Sequence, residues 1–258
     1  SVPACQAIVK KAAAILDESD MLLDTMKRLR AYSRNAVCFG SEVIDFSNEL
    51  IALYRQLDQS IDVVSDNTTV HGIVDKLCSH TYDFALTLND LSSAVVESVQ
   101  ILDEPMLLLV GPTSAFSKKS EVYMRDLQGV SLVTTSEDFS IGILMRQFFS
   151  GSGTAYSRVQ QVGDSDSIAV KVYNNFGISF VPECVVNLWL KTPEIRIRGV
   201  QWIPIEQGKC RRRIYLTCLR DERHTPACEA FLKYLSSYCI AVRKEHSYPT
   251  YNELLSYL

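Results

Sequence analysis

Residues 4–30 contain no Gly or Pro, and their apolar positions recur in heptads: Cys5, Ala12, Ser19 and Met26 alternate with Ile8, Ile15, Leu22 and Leu29. That spacing lines both sets along one seam of a long amphipathic helix, taken here as residues 1–32. The first set is mostly small, which allows a second helix to approach closely. The seam is therefore expected to pack on a partner chain, with an ordinary helix lying on its own core as the alternative.

Beyond Ser33-Arg34-Asn35 the period shortens, and brief apolar runs alternate with helical patterns. Strands are expected at 36–40, 60–64 and 82–88, separated by a helix carrying Leu50, Leu53, Tyr54 and Leu57 and by another carrying Val70, Ile73, Val74 and Leu77, capped from Asp66-Asn67-Thr68-Thr69. Two further strands, 94–102 and 106–111, flank an Asp103-Glu104-Pro105 turn. A second set follows: strands at 129–134, 157–162 and 177–181, the last ended by Pro182, and helices at 140–149 and 164–173, the latter capped by Asp164 or Ser165. Strands at 200–205 and 212–219 and a last helix opened by Pro226 complete the pattern. Short polar joints between strands and helices predict mainly parallel α/β sheet.

Two runs, 106–111 (MLLLVG) and 214–220 (IYLTCLR), read as the crossings between two α/β lobes. The expected division is 33–111 with 217–258 as one lobe and 112–216 as the other. A small ligand fits the cleft between them.

Composition narrows the function. A chain of 258 residues, 47% hydrophobic, is large enough for two such lobes with proper cores. A net charge of −4 opposes direct phosphate-backbone binding, and the basic run Lys209–Arg213 is expected to be a solvated hairpin edge. No apolar run approaches the ~20 residues that span a bilayer, so no membrane partner is expected. The eight cysteines form no CxxC pair and sit mostly in apolar runs, as reduced core residues of a cytoplasmic protein do. The four histidines have no metal-ligand spacing, and neither metal nor cofactor is expected. No GxGxxG, GxxxxGK[ST], HExxH or GxSxG occurs, which points away from an enzyme. What does recur is a hydroxyl where a strand gives way to a helix: Ser41, Thr68, Thr69, Thr87, and Thr134-Thr135-Ser136. Such groups either hold a polar ligand at the carboxyl ends of the strands or cap their own helices.

In order and spacing these elements resemble the regulatory part of LysR-type transcriptional regulators over essentially the whole chain. Residues 9–20 (VKKAAAILDESD) look like the end of that family's linker helix, 36–41 like its first strand, and 82–86 like its Asp-plus-apolar strand. Residues 177–182 (GISFVP) resemble the strand of the second lobe, and Arg220-Asp221 followed by 226–235 resembles the final strand and helix. The resemblance implies a two-lobed, periplasmic-binding-protein-like (type II) fold of two Rossmann-like subdomains. It also implies a bacterial transcription factor whose winged helix-turn-helix precedes Ser1 and alone touches DNA, leaving this part to sense a metabolite as a homodimer or homotetramer. Its effector-pocket positions fall on Ser41, Glu42, Thr68, Thr69, Thr87, Thr135, Ser136, Asn175, Phe176 and Gly177, and its dimerisation seam on Ile8, Ala12, Ile15, Leu22, Met26 and Leu29. A carboxylate-bearing metabolite is the expected effector, because helix N-termini and hydroxyls aim at one gap. Glu42 leaves two readings open: the effector carries an amine, or Glu42 belongs to the helix surface. The alternative function is a stand-alone solute-binding protein of a transport system.

Overall fold

The computed structural model describes residues 35–69, 72–136, 139–191, 199–221 and 224–245, with residues 11, 16, 18, 19 and 22 of the N-terminal segment. Those five positions are helical and exposed. Leu22 therefore has a solvent-facing side chain in this chain alone; Ile8, Ala12, Ile15, Met26 and Leu29 lie outside the described residues.

The elements run β1 (Ala36–Ser41), α1 (Ile44–Leu57), β2 (Asp62–Asn67), α2 (Ile73–Cys78), β3 (Phe84–Thr87), β4 (Val96–Val110), β5 (Ser131–Thr135), α3 (Ser140–Ser152), β6 (Arg158–Val162), α4 (Ser165–Tyr173), β7 (Ser179–Pro182), α5 (Glu183–Lys191), β8 (Gln201–Pro204), β9 (Arg211–Leu219) and α6 (Pro226–Glu245). One sheet of order β2-β1-β3-β9-β4-β7, with β8 also on β4, passes through both lobes. β1 is parallel to β2 and β3, while β9 is antiparallel to β3 and β4. The second lobe adds the parallel pair β5–β6, tied to β7 through the Leu132–Ile178 bridge.

β4 and β9 are the two crossings. β4 is one continuous strand of 15 residues, not two strands about a turn. It pairs with β9 up to Pro105 and with β7 and β8 from Met106 or Leu107 onward. Pro105, which cannot donate to a ladder, thus sits at the point where the strand changes partners, so its missing N–H breaks nothing. Asp103 and Glu104 read as turn residues but are held by Arg211 and Arg212. The pairing changes at Pro105, within β4, and at Arg211, the first residue of β9, whereas the expected division falls at 111, just past β4, and at 217, inside β9.

Three other expectations are corrected. Asp66 and Asn67 belong to β2, and α2 begins only at Ile73 behind a left-handed Gly72 (φ 83°) with no side-chain cap, so residues 66–69 are not its cap. Pro182 ends β7 but leads directly into α5, which lacks a polar joint to announce it. The run Lys209–Arg213 is not a solvated edge throughout, because Arg212 is wholly buried.

α1 and α6 cover one face of the first lobe. Phe39 stacks on Phe84 (centroids 4.7 Å apart), and Phe231 of α6 meets the edge of Tyr54 of α1 at 4.9 Å. Each such ring contributes about 1.5–3 kcal/mol through burial. In the second lobe, Phe149, Phe180 and Met145 seat α3 on β7, and all three are buried.

Candidate functional site

The parallel strands β1, β2 and β5 end at the gap between the lobes, where an open α/β sheet places its ligands. A cavity of about 370 Å³ lies there. The first lobe lines it with Glu42, Ile44, Asp45, Asn48 and Asn67; the second supplies Thr135, Phe139, Ser140, Ile141, residues 163–166, Val185 and Trp189.

Each wall follows from a local rule. Gly142 lets α3 approach the preceding loop closely, since a Cβ there would collide with the Ser136 carbonyl. The Thr135 hydroxyl accepts the Gly142 N–H (3.2 Å) and holds the start of α3 against β5. Asp164 is the N-cap of α4, its Oδ1 accepting the Ser167 N–H at 2.7 Å, as expected from the sequence. Two residues on, Asp166 Oδ1 accepts the Trp189 indole N–H (2.9 Å), which fixes the ring over the cleft. On the floor, Glu42 is 5% exposed, and its Oε2 accepts the Leu88 N–H at 2.9 Å.

Behind the floor stands a buried charge cluster that joins the lobes. Arg212, on β9, is 0% exposed. Its Nε donates to Glu104 Oε1 (2.7 Å), Nη1 to Asp45 Oδ2 (2.8 Å) and Nη2 to the Cys184 sulfur (2.9 Å). The second Glu104 oxygen accepts the Cys184 N–H at the start of α5, 2.9 Å away. One guanidinium thereby ties α1 and both crossings to α5 of the second lobe. Burial, reinforced by the Glu104 charge, pushes the Cys184 thiol well above its ordinary pKa, so it stays protonated.

Of the residues expected to hold an effector, the structure brings only Glu42 and Thr135 into the lining. Ser41 is fully buried and internally used: its Oγ accepts the Val43 N–H (3.0 Å) and lies 2.6 Å from Ser47 Oγ. Thr87 is likewise buried, donating to the Asn89 carbonyl (2.8 Å) beside the Thr217 hydroxyl. The hydroxyls of Ser41 and Thr87 thus brace their own lobe, while that of Thr135 accepts the Gly142 N–H and still faces the cavity. Thr68, Thr69 and Ser136 are half-buried neighbours of the lining residues Asn67 and Thr135 but do not line the cavity themselves. Asn175, Phe176 and Gly177 are at the wrong end of the second lobe. Gly177 lies against the Ser131 carbonyl at the start of β5, and Phe176 is 50% exposed. The reason is directional: these residues precede β7, whereas the cleft receives the carboxyl ends of the strands.

The expected carboxylate effector also meets a difficulty. Glu42, Asp45, Asp164 and Asp166 all line the cavity, and among its described lining residues there is no Lys, Arg or His. Like charges ~4 Å apart repel by about 4 kcal/mol at the effective dielectric of a protein surface. Sequence reasoning had no signal for Asp45, which looks like any first-turn acid, or for Trp189, whose helix went unread. Asp164 was visible as a cap but not as part of a wall.

Residues 44–239 match the model of the LysR substrate binding domain family. The chain belongs to that family. It is 24% identical over 216 residues to the RuBisCO operon transcriptional regulator of Allochromatium vinosum, covering 83% of this chain and 70% of that protein. Its fold is similar to the regulatory domain of Synechocystis PCC6803 CcmR in complex with 2-PG, with a TM-score of 0.65 at 16% identity over 82% of this chain and 99% of that one. Full-length CbnR complexed with its target DNA aligns with a TM-score of 0.67 at 16% identity, covering 87% and 80% of the two chains. The two-lobed, type II periplasmic-binding-protein-like fold is that of the family, and the family is regulatory rather than enzymatic. No helix among the described residues is long and apolar enough to cross a membrane.

Proposed function

We propose that this chain is the effector-sensing part of a LysR-type transcriptional regulator, binding one small polar metabolite between its lobes. The observation that carries the reading is the roughly 370 Å³ cavity at the carboxyl ends of β1, β2 and β5, walled by both lobes, in a domain of this family. Glu42 and Thr135 are proposed contacts, joined by Asn67, Asp166 and Trp189. Ser41 and Thr87 serve by fixing the loops that carry Glu42 and Leu88, while Thr68, Thr69 and Ser136 flank the mouth.

Both lobes supply walls, so a ligand that bridges them stabilises the closed arrangement by its differential affinity for it. Homodimer or homotetramer formation is assigned to the seam of Ile8, Ala12, Ile15, Leu22, Met26 and Leu29. DNA contact is assigned to a module outside these residues, in keeping with the net charge of −4. Screening a metabolite library by melting temperature tests the reading. A ligand that raises the midpoint of the native chain should lose its effect on Asn48→Trp, which places an indole at the exposed rim of the cavity. A ligand that stabilises both proteins equally binds elsewhere and contradicts it.

A further inference from the structure

Glu104 of β4 and Arg212 of β9 stand directly opposite each other in the ladder, next to the Pro105–Arg211 pair where β4 leaves β9 for β7. Just past that exchange Met106 pairs with Pro182, and α5 starts on the very next residue with no loop between. The first turn of α5 is thus fixed to the crossing strand beside the point where the lobes part. A helix of the second lobe is thereby brought within reach of side chains of the first.

The contacts made there form a closed circuit. Arg212 Nη1 and the Cys184 thiol both donate to Asp45 Oδ2, at 2.8 and 3.5 Å, while Arg212 Nη2 donates to the Cys184 sulfur at 2.9 Å. The thiol is able to donate because burial keeps it protonated. Glu104 completes the circuit, accepting from Arg212 Nε and from the Cys184 backbone N–H. Asp45 belongs to the first turn of α1, in the first lobe, and Cys184 to that of α5, in the second. The lobes therefore hold each other through side chains, in addition to the two strands that cross. Charge-assisted hydrogen bonds in a buried setting are the strong ones, and breaking the circuit at any member leaves buried polar groups without their partners.

The geometry points to an inter-lobe pin: Glu104 and Arg212 are its fixed half on the crossing strands, and Asp45 and Cys184 are positioning residues through which α1 and α5, from different lobes, open and close as one cooperative unit. The cavity inherits this coupling. Asp45 lines it from α1, while Val185 and Trp189 line it from α5, so the spacing of these two walls follows the pin. The inference concerns how the lobes are joined and stands whether or not the cleft takes an effector.

Native-state hydrogen exchange of the full chain without added ligand, read by mass spectrometry on peptides, tests it. Asp45→Asn alters the first lobe only, and keeps the size of the side chain. Exchange should rise roughly ten-fold or more in α5 of the second lobe, while α3 and β5 of that same lobe stay as they were. Cys184→Ala, made in the second lobe, should raise exchange in α1 and spare α2 and β3 of the first. Combining the two should give less than the product of the single effects, because both act on one circuit. Cys184→Ala removes a single sulfur atom and carries the test alone if Asp45→Asn does not fold, which melting curves establish. A change confined to the substituted helix overturns the pin, as does a uniform rise in every slow amide, which reports lost global stability. Full multiplication of the two effects overturns it too, since independent sites behave that way.

Discussion

Replacing Arg212 by Met should destabilise this chain more than any substitution of an exposed arginine. The side chain is 0% exposed and holds two carboxylates, Asp45 at 11% and Glu104 at 2% side-chain exposure, with contacts of 2.8 and 2.5 Å. Methionine fills much of the same volume but removes the guanidinium's charge from both acids. Removing one partner of a buried ion pair costs about 3–5 kcal/mol, the greater part being the uncompensated charge left behind. At ~2–4 °C per kcal/mol for a chain of this size, the melting midpoint should drop by roughly 6–20 °C. Arg212→Lys should recover little, because one ammonium cannot reproduce three directed contacts from Nε, Nη1 and Nη2. Arg213→Ala is the internal control: its side chain is 58% exposed and its ion pair with Asp103 is 3.7 Å long, so the loss should stay under ~1 kcal/mol. Urea unfolding followed by circular dichroism measures all three. The reasoning also predicts that Asp45→Asn with Glu104→Gln, added to Arg212→Met, restores much of the loss. An Arg212→Met midpoint within the range of Arg213→Ala refutes the cluster as a source of stability.

Thiol labelling should be graded: among the described cysteines Cys78 is exposed and reacts first, whereas Cys184, Cys228 and Cys239 are buried and should wait for denaturant. Burial and Glu206 push Cys210 up to about 11, so its alkylation near pH 8 should be negligible and should rise only toward that value; rapid labelling of Cys184 or Cys210 in the native state contradicts their placement. Lys76 is raised chiefly by its bond to Tyr82, and Tyr82 chiefly by burial. Both shifts favour protonated forms in the folded state, so the associated stability is complete below the unfolded values near 10 and is lost as pH rises through the folded ones. The Lys76 ammonium donates to the Tyr82 hydroxyl (2.9 Å) and to Asp66 Oδ2 (3.1 Å), and that hydroxyl in turn donates to Asp66 Oδ2; Tyr82→Phe should flatten the alkaline fall in unfolding experiments, and an unchanged slope speaks against this cluster as its source. Light scattering should show a dimer or larger for the full chain and a smaller species for Leu22→Glu; a monomer in both cases removes the seam from self-association.

How much of this was legible depends on what each segment was asked to reveal. Elements bounded by capping or turn chemistry read well: α4 announced itself through Asp164, and β6, β8 and β9 were found within a residue or two. Elements joined without punctuation did not. Pro182 looked like a stop, yet α5 follows it at once, and with α5 unread both Cys184 and Trp189 were missing from the site. Asp103-Glu104-Pro105 has the composition of a turn, but partners 108 residues away, Arg211 and Arg212, convert it into mid-strand. The same long-range pairing turned one residue of a surface-like basic run into the most buried cation of the hinge. Hydroxyls at strand ends were visible, but a sequence cannot say whether an Oγ faces the gap or its own helix. For Ser41 and Thr87 the nearby backbone N–H and carbonyl groups took the hydrogen bonds. Asn175–Gly177 failed for a directional reason, since strand polarity decides which end of a βα unit meets the cleft.

The most direct test uses the chain's two tryptophans. In a two-dimensional nitrogen–proton NMR spectrum each indole N–H gives its own signal: Trp189 from the cleft wall, and Trp202 from β8, which is 41% exposed and absent from the cavity lining. Titration with a metabolite that raises the melting midpoint should move the Trp189 indole signal, together with the amides of Glu42, Asn67 and Thr135, and leave Trp202 in place. Saturation with Trp189 unmoved, or with the shifts gathered around Trp202, contradicts the cleft as the effector site.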